Sequence, residues 1–336
     1  VNMLFGSPVL HALILGVVII SALLGVTSYF IWVERKFAGR MQSRIGPEHV
    51  GWKGLLQPIA DAFKLLIKED ITPKSADRAM FNLAPLLAVT VALLSLAVLP
   101  LASGLVIADL DVGVLFFLAA GALTVVPTWM AGWGSNNKYA LIGGMRAIAQ
   151  SVAYGVPLVL AALVPVILSG SMNLSHIVAA QAGGHWFAFW PIGPGFAAGI
   201  LFVLATLAEG NRIPFDIPEA ESELVSGIST EYTGMKFGMF YLGEYVHSLV
   251  GAALFVTLFL GGYDGPGPDV LVLQLAWFLL KTAVVSMLLL WVRWTYVRLR
   301  SDQLMTLCWK YLLPSGLVLV VASALWVWWK QQGGLA

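Results

Sequence analysis

Cysteine is nearly absent from this sequence. Cys308 stands alone, so the chain can close no internal disulfide and cannot by itself ligate an iron-sulfur cluster or a structural zinc. The five histidines, His11, His49, His176, His185 and His247, show no i, i+3 or i, i+4 pair on a helix, so no metal site is expected. Charge is also scarce: 19 Lys and Arg and 18 Asp and Glu in 336 residues, against 59% apolar residues, leave too little polar surface for a water-solvated globule. A secretory leader pattern is missing as well. No basic stretch precedes the apolar run at 9–29 and no small-residue cleavage site follows it before Glu34, so this run is expected to be kept as a helix. The first residue is Val1 rather than Met, as with an alternative start codon or an incomplete N-terminus.

What the chain has in abundance is long apolar sequence. Stretches free of Asp, Glu, Lys and Arg cover 1–33, 79–108, 112–137, 147–208, 245–263 and 311–329, and 270–292 is broken only by Lys281. A spanning helix takes roughly 20 apolar residues. The 147–208 stretch is too long for one span and carries Gly, Ser, His and Trp near 169–194, so it reads as two. The expectation is an all-α polytopic membrane protein: one membrane domain over 1–336 with about eight transmembrane helices near 9–33, 80–101, 112–134, 147–168, 195–209, 238–261, 270–292 and 309–329. One such window could be a buried helix of a soluble protein, but seven in one chain could not.

The basic residues sort onto alternate loops. Arg35, Lys36, Arg40, Arg44, Lys53, Lys64, Lys68, Lys74 and Arg78 fall between spans 1 and 2, Lys138 and Arg146 between 3 and 4, Arg212 and Lys236 between 5 and 6, and Arg293, Arg298, Arg300 and Lys310 between 7 and 8. The other three loops hold no Lys or Arg. By the positive-inside rule the basic loops face the cytoplasm, or the matrix of an organelle, and both termini face the opposite side. Within the first loop, Leu55, Leu56, Ile59, Phe63, Leu66 and Ile67 recur at helical spacing opposite Asp61, Lys64 and Lys68, and Pro58 falls in the first turn. This predicts an amphipathic interfacial helix over 55–69, for which a membrane-surface anchor is an equally good reading.

Acids concentrate in one place. Glu209, Asp216, Glu219, Glu221, Glu223 and Glu231 lie in a segment with one base, Arg212. Pro218 is placed to start a helix whose first turn would favour the acids at 219–223 through the helix dipole. Dipole capping leaves Glu209 and Glu231 unexplained. Glu244 and Lys281 fall inside spans 6 and 7, where an ionisable group is costly unless it meets a partner or water. The alternatives are a proton or ion path, in which clustered carboxylates raise one another's pKa, and internal salt bridges such as Lys281 with Glu244.

The loop sequences are more specific than their physics. ERKFAGRMQSRIGPEHVGWKGLLQPIADAFKLLIKED (34–70), NNKYALIGGMRAIAQSVAY (136–154), AEGNRIPFDIPEAESELVSGISTEYTGMKFGMFYLGEY (208–245) and RLRSDQLMTLCWK (298–310) closely resemble the quinone-site membrane subunit of respiratory complex I, the proton-translocating NADH:quinone oxidoreductase. The motifs run in order from span 1 to span 8. The resemblance implies a subunit without a redox centre or catalytic residue of its own, in which span 1, the interfacial helix and span 6 frame a lateral opening for quinone, the bound substrate. It implies NADH, FMN and iron-sulfur clusters in partner subunits: peripheral-arm iron-sulfur and quinone-site subunits, small membrane subunits and antiporter-like subunits. Membrane lipid is the remaining partner, and no nucleic acid is expected. The location implied is the bacterial inner membrane, or the mitochondrial one if organellar.

Carried over residue by residue, the resemblance gives Arg35, Arg44, Asp61, Arg212, Asp216, Arg298 and Arg300 as a polar quinone chamber. Most of these arginines are expected to fix loops through acidic partners. It gives Glu209, Glu219, Glu223, Glu231 and Glu244 as the acids linking that chamber to a proton path. One position departs: the residue after Tyr154 is Gly155, where the family usually has glutamate, so either water and neighbouring acids bridge the gap or coupling is altered in this branch. Equivalent subunits of an energy-converting hydrogenase or of a ferredoxin- or F420-dependent relative are the nearest alternatives. A stand-alone transporter would need a discontinuous helix pair or an inverted repeat, and neither is visible.

Overall fold

A computed structural model describes residues 8–190, 193–219, 221–267 and 270–332, with the side chains of 8–13, 221 and 222 outside the description, so Val1 and the carboxyl group of Glu221 lie outside the described residues. The described residues form thirteen α-helices in chain order: α1 Pro8–Met41, α2 Gln57–Ile67, α3 Arg78–Leu94, α4 Gly113–Ala122, α5 Val125–Gly134, α6 Lys138–Ser169, α7 Leu174–Ala180, α8 Pro194–Glu209, α9 Glu221–Leu224, α10 Gly234–Phe259, α11 Leu271–Thr295, α12 Ser301–Thr306 and α13 Leu313–Gln331. No strand occurs among the described residues. Among the described residues, seven helical stretches are long and apolar enough to cross a membrane: Ile14–Met41, Arg78–Val98, Gly113–Gly134, Lys138–Ser169, Gly234–Phe259, Leu271–Thr295 and Ser301–Gln331. The shorter apolar α8 stands beside them.

Several helices run past the charge-free windows that predict them. At about 1.5 Å per residue the 34-residue α1 is about 51 Å long, well beyond a hydrocarbon core of roughly 30 Å, so its last turns, with Glu34 and Arg35, continue outside the apolar layer. The window stops at the first charge. The helix does not, because Glu34 and Arg35 find partners on other elements. α6 likewise begins at Lys138, where Asn137 accepts a hydrogen bond from the Tyr139 amide at 2.9 Å, and it ends where Gly170 takes the left-handed conformation. Asp77 caps α3 in the same way, accepting from the Ala79 amide at 3.0 Å.

α10 is the buried axis of the bundle. It packs against α1, α2, α3, α8 and α11, whereas α1 and α13 lie at the periphery with most of their apolar surface outward, as lipid-facing helices do. Phe202 and Phe259 pack at 5.7 Å between α8 and α10, and Phe81 of α3 stacks on Tyr232 at 4.1 Å. Small residues allow close backbone approach on α6. A Cβ on Gly143 would lie 2.8 Å from the Pro218 carbonyl and 3.2 Å from Gly227 Cα, so glycine is what seats the acidic loop against this helix.

Two expectations are corrected. The helix foreseen from Pro218 is reduced to the four residues of α9, with Glu219 in the turn before it, so a helix dipole does not account for the acids. Pro218 instead offers its carbonyl at the crossing with Gly143 and Gly227. The Lys281–Glu244 salt bridge is not formed. Lys281 reaches the far end of α10 and donates to the carbonyls of Leu260 (2.8 Å), Gly262 (3.1 Å) and Asp264 (2.6 Å), with its Nζ 4.5 Å from the Trp186 ring centroid. The C-terminus of a helix carries unsatisfied carbonyls and partial negative charge, so an ammonium there is both capping donor and counter-charge.

Candidate functional site: two cavities joined by a buried ion network

The first cavity opens between α1, α2 and α10 and encloses about 1550 Å³ counted to its mouth. Its wall is mostly apolar, from Leu24, Ile31, Leu65, Phe237 and Leu242, with Arg35, Asp61, Lys64, Tyr241 and Tyr245 as the polar groups. The amphipathic α2 supplies one side, and Pro58 sits in its first turn, where no helical N–H is lost. Arg35 of α1 and Asp61 of α2 pair at 2.5 Å, and Gln57 donates to the other Asp61 oxygen at 3.0 Å. This pair fixes the lip of the cavity to α1.

Behind Tyr245 lies a buried set of charges. Glu34, at the end of the α1 apolar run, accepts from Arg293 of α11 at 2.6 Å and lies 3.5 Å from Arg212. The Arg212 Nε is 2.7 Å from Glu244, and its guanidinium carbon is 4.1 Å from the Tyr245 ring centroid. Two carboxylates thus share two guanidiniums, and an aromatic face covers one of them. The network ties α1, α10, α11 and the acidic loop together at one level.

The second, inner cavity is set among the buried Glu209 and His247 and measures about 560 Å³ counted to its mouth; Glu219, Glu244, Thr124, Thr128 and Asn211 also line it. Gly121 gives the Glu209 carboxylate its place, because a Cβ there would collide with Oε1. Adjacent residues of α10 therefore serve different rooms: Tyr245 faces the large cavity and Glu244 the inner one, and Arg212 contacts both side chains.

The remaining residues named from sequence are placed apart. Glu223 pairs with Arg146 at the surface, where that hydrogen bond, then the guanidinium charge, holds its carboxyl below the usual range. Glu231 accepts from Asn137 at 2.6 Å. Arg298 donates to the Asp216 carbonyl, and the Leu299 amide to that of Pro214 at 3.0 Å, which staples the loop after α11 onto the acidic loop. Arg44 bonds Gln42 at 2.7 Å and Arg300 approaches Asp302 at 3.4 Å, both on the exterior and away from the cavities. Gly155 faces open space rather than the inner cavity.

Sequence reasoning missed Glu34, Arg293, Tyr245, His247 and Arg146 as members of these groups. Glu34 and Arg293 carry a faint signal, each being the charge at the edge of an apolar run. His247 carries none, as a lone histidine in an apolar helix is ordinarily core.

The fold and these groups define a polytopic all-α membrane protein with an apolar cavity open between helices and a second cavity lined by three acids. The NADH dehydrogenase family model matches residues 13–324, and the chain belongs to that family. It is 48% identical over 312 residues to the H subunit of the NADH-quinone oxidoreductase of Dehalococcoides mccartyi (strain CBDB1), covering 93% of this chain and 84% of the relative. It is 44% identical over 334 residues to subunit 8 of the Rhodothermus marinus enzyme (95% and 98%), and 47% identical over 324 residues to the H subunit of the Brevibacillus brevis enzyme (96% and 94%).

Proposed function

We propose that this chain is the membrane subunit of a proton-translocating NADH:quinone oxidoreductase that receives quinone and passes the consequence of its reduction to protons in the membrane. The observation that carries this reading is the Tyr245–Arg212–Glu244 link, which connects a cavity open between helices to an inner cavity of acids over a single residue step of α10. The large cavity suits an amphipathic ligand: its walls are apolar where a prenyl tail would lie, and Arg35, Asp61, Tyr241 and Tyr245 offer polar contacts to a headgroup. Electrons would come from flavin and iron-sulfur centres in peripheral subunits, and Arg298 and Asp216 would shape the floor on which those subunits sit. The chain would lie in a bacterial inner membrane with its basic loops toward the cytoplasm and its termini toward the periplasm.

The coupling proposed is electrostatic. Reduction changes the charge near Tyr245 and Arg212, the strength of the Arg212–Glu244 pair changes with it, and Glu244, Glu209 and Glu219 take up or release protons in response. Glu223 and Glu231 would act at the loop end of this chain of acids. The test is inhibitor-sensitive NADH:quinone reduction in vesicles holding the intact complex, with proton movement followed in the same sample. Glu209→Gln and Glu244→Gln are expected to slow or uncouple turnover in an assembled complex, and near-normal pumping in both would refute the reading.

A further inference from the structure

His247 sits three residues beyond Glu244 on α10, so both occupy one helix face, and both line the inner cavity. The His247 side chain is 6% exposed. Its Nε2 lies 3.4 Å from the Glu209 Oε2, and neither ring nitrogen makes an aligned hydrogen bond to protein. Buried polar groups are nearly always satisfied. A histidine filling core space would be expected to turn a nitrogen onto a carbonyl, as Gln181 does on Thr257. This one is directed into a cavity whose other ionisable lining groups are all carboxylates: Glu209 from α8, Glu244 from α10 and Glu219 from the acidic loop. Thr124, Thr128 and Asn211 add polar lining with which cavity water can bond.

We propose that His247 relays protons between Glu244 and Glu209. The inference rests on the functional reading above and adds a residue to it that no loop motif supplies. In the forward step a proton leaves the Glu244 carboxyl and, through cavity water, forms an N–H bond at Nδ1. The imidazolium stands against the Glu209 carboxylate. The Nε2–H bond then breaks, an O–H bond forms on Glu209, and the ring resets by a flip or by tautomer exchange through water. One proton moves and no electrons do. Imidazole suits this because it can hold a proton on either of two opposite nitrogens near neutral pH. A neutral amide cannot.

The experiment uses the intact complex in vesicles, with wild-type NADH:quinone turnover and proton movement measured first. Absence of any quinone-linked activity there would dispose of the proposed function itself, independently of His247. With that activity in hand, His247→Asn and His247→Gln keep hydrogen-bonding capacity without a titratable ring, and His247→Glu restores a proton carrier. The relay predicts a loss of coupled turnover on the order of 100-fold in the two amides, as for one positioned proton carrier. It also predicts a larger solvent deuterium isotope effect and substantial recovery in His247→Glu. Wild-type turnover and pumping in both amides would overturn the proposal. Equal loss in all three variants with an unchanged isotope effect would also overturn it, marking His247 as a packing residue.

Discussion

Replacing Arg212 by Met should be the most damaging single change to the buried network, and its size follows from the contacts. The guanidinium is 5% exposed, 2.7 Å from Glu244 and 3.5 Å from Glu34. Methionine keeps much of the apolar stem and removes the charge. Glu34 retains Arg293 at 2.6 Å, so the stranded group is Glu244. Breaking one partner out of a buried ion pair costs about 3–5 kcal/mol, which for a chain of this length corresponds to a fall in thermal midpoint of about 4–7 °C. The assay is retention of this subunit in the assembled complex across a temperature series, read on native gels. The double variant Arg212→Met, Glu244→Gln removes the stranded charge and should recover about 1–3 kcal/mol, the usual coupling within one network. An unchanged midpoint in Arg212→Met, or a double variant no better than the single, would refute a charge-held network.

Two further outcomes test other parts of the architecture. Lys281→Met deprives the carbonyls of Leu260, Gly262 and Asp264 of their shared donor, at a cost of about 2–3 kcal/mol. Amide exchange at 257–264, followed by mass spectrometry, should speed up on the order of 100-fold if this end opens locally. The Arg146–Glu223 tether should be pH-dependent. Because the folded-state pKa of Glu223 is lowered, its contribution is complete above the ordinary glutamate value of about 4.3 and is lost as pH falls through the lowered one. Proteolytic nicking of the 220–230 loop should therefore rise in acid, and Arg146→Ala should nick readily already at neutral pH.

The apolar windows and the alternation of basic loops were legible because lipid exposure and charge avoidance act on each segment separately, whatever its neighbours are. The same local logic placed α2: its apolar stripe and Pro58 are written within eleven residues. It failed at helix ends. Glu34 ends the first window, yet α1 continues to Met41 because its partner is Arg293, distant in the chain by 259 residues.

The site divides along the same line. The resemblance names Glu209, Glu219, Glu223, Glu231 and Glu244 together; the structure places Glu209, Glu219 and Glu244 on one cavity, and Glu223, like Arg44 and Arg300, at the surface. Composition and motifs read in order are enough to identify an all-α polytopic membrane protein and to assign its family. Helix packing alone settles that Lys281 caps α10 rather than pairing with Glu244, that Arg212 stands between Tyr245 and Glu244, and that His247 faces Glu209. A buried charge chooses its partner by proximity in a low-dielectric interior, and that proximity is set by how helices pack rather than by separation along the chain.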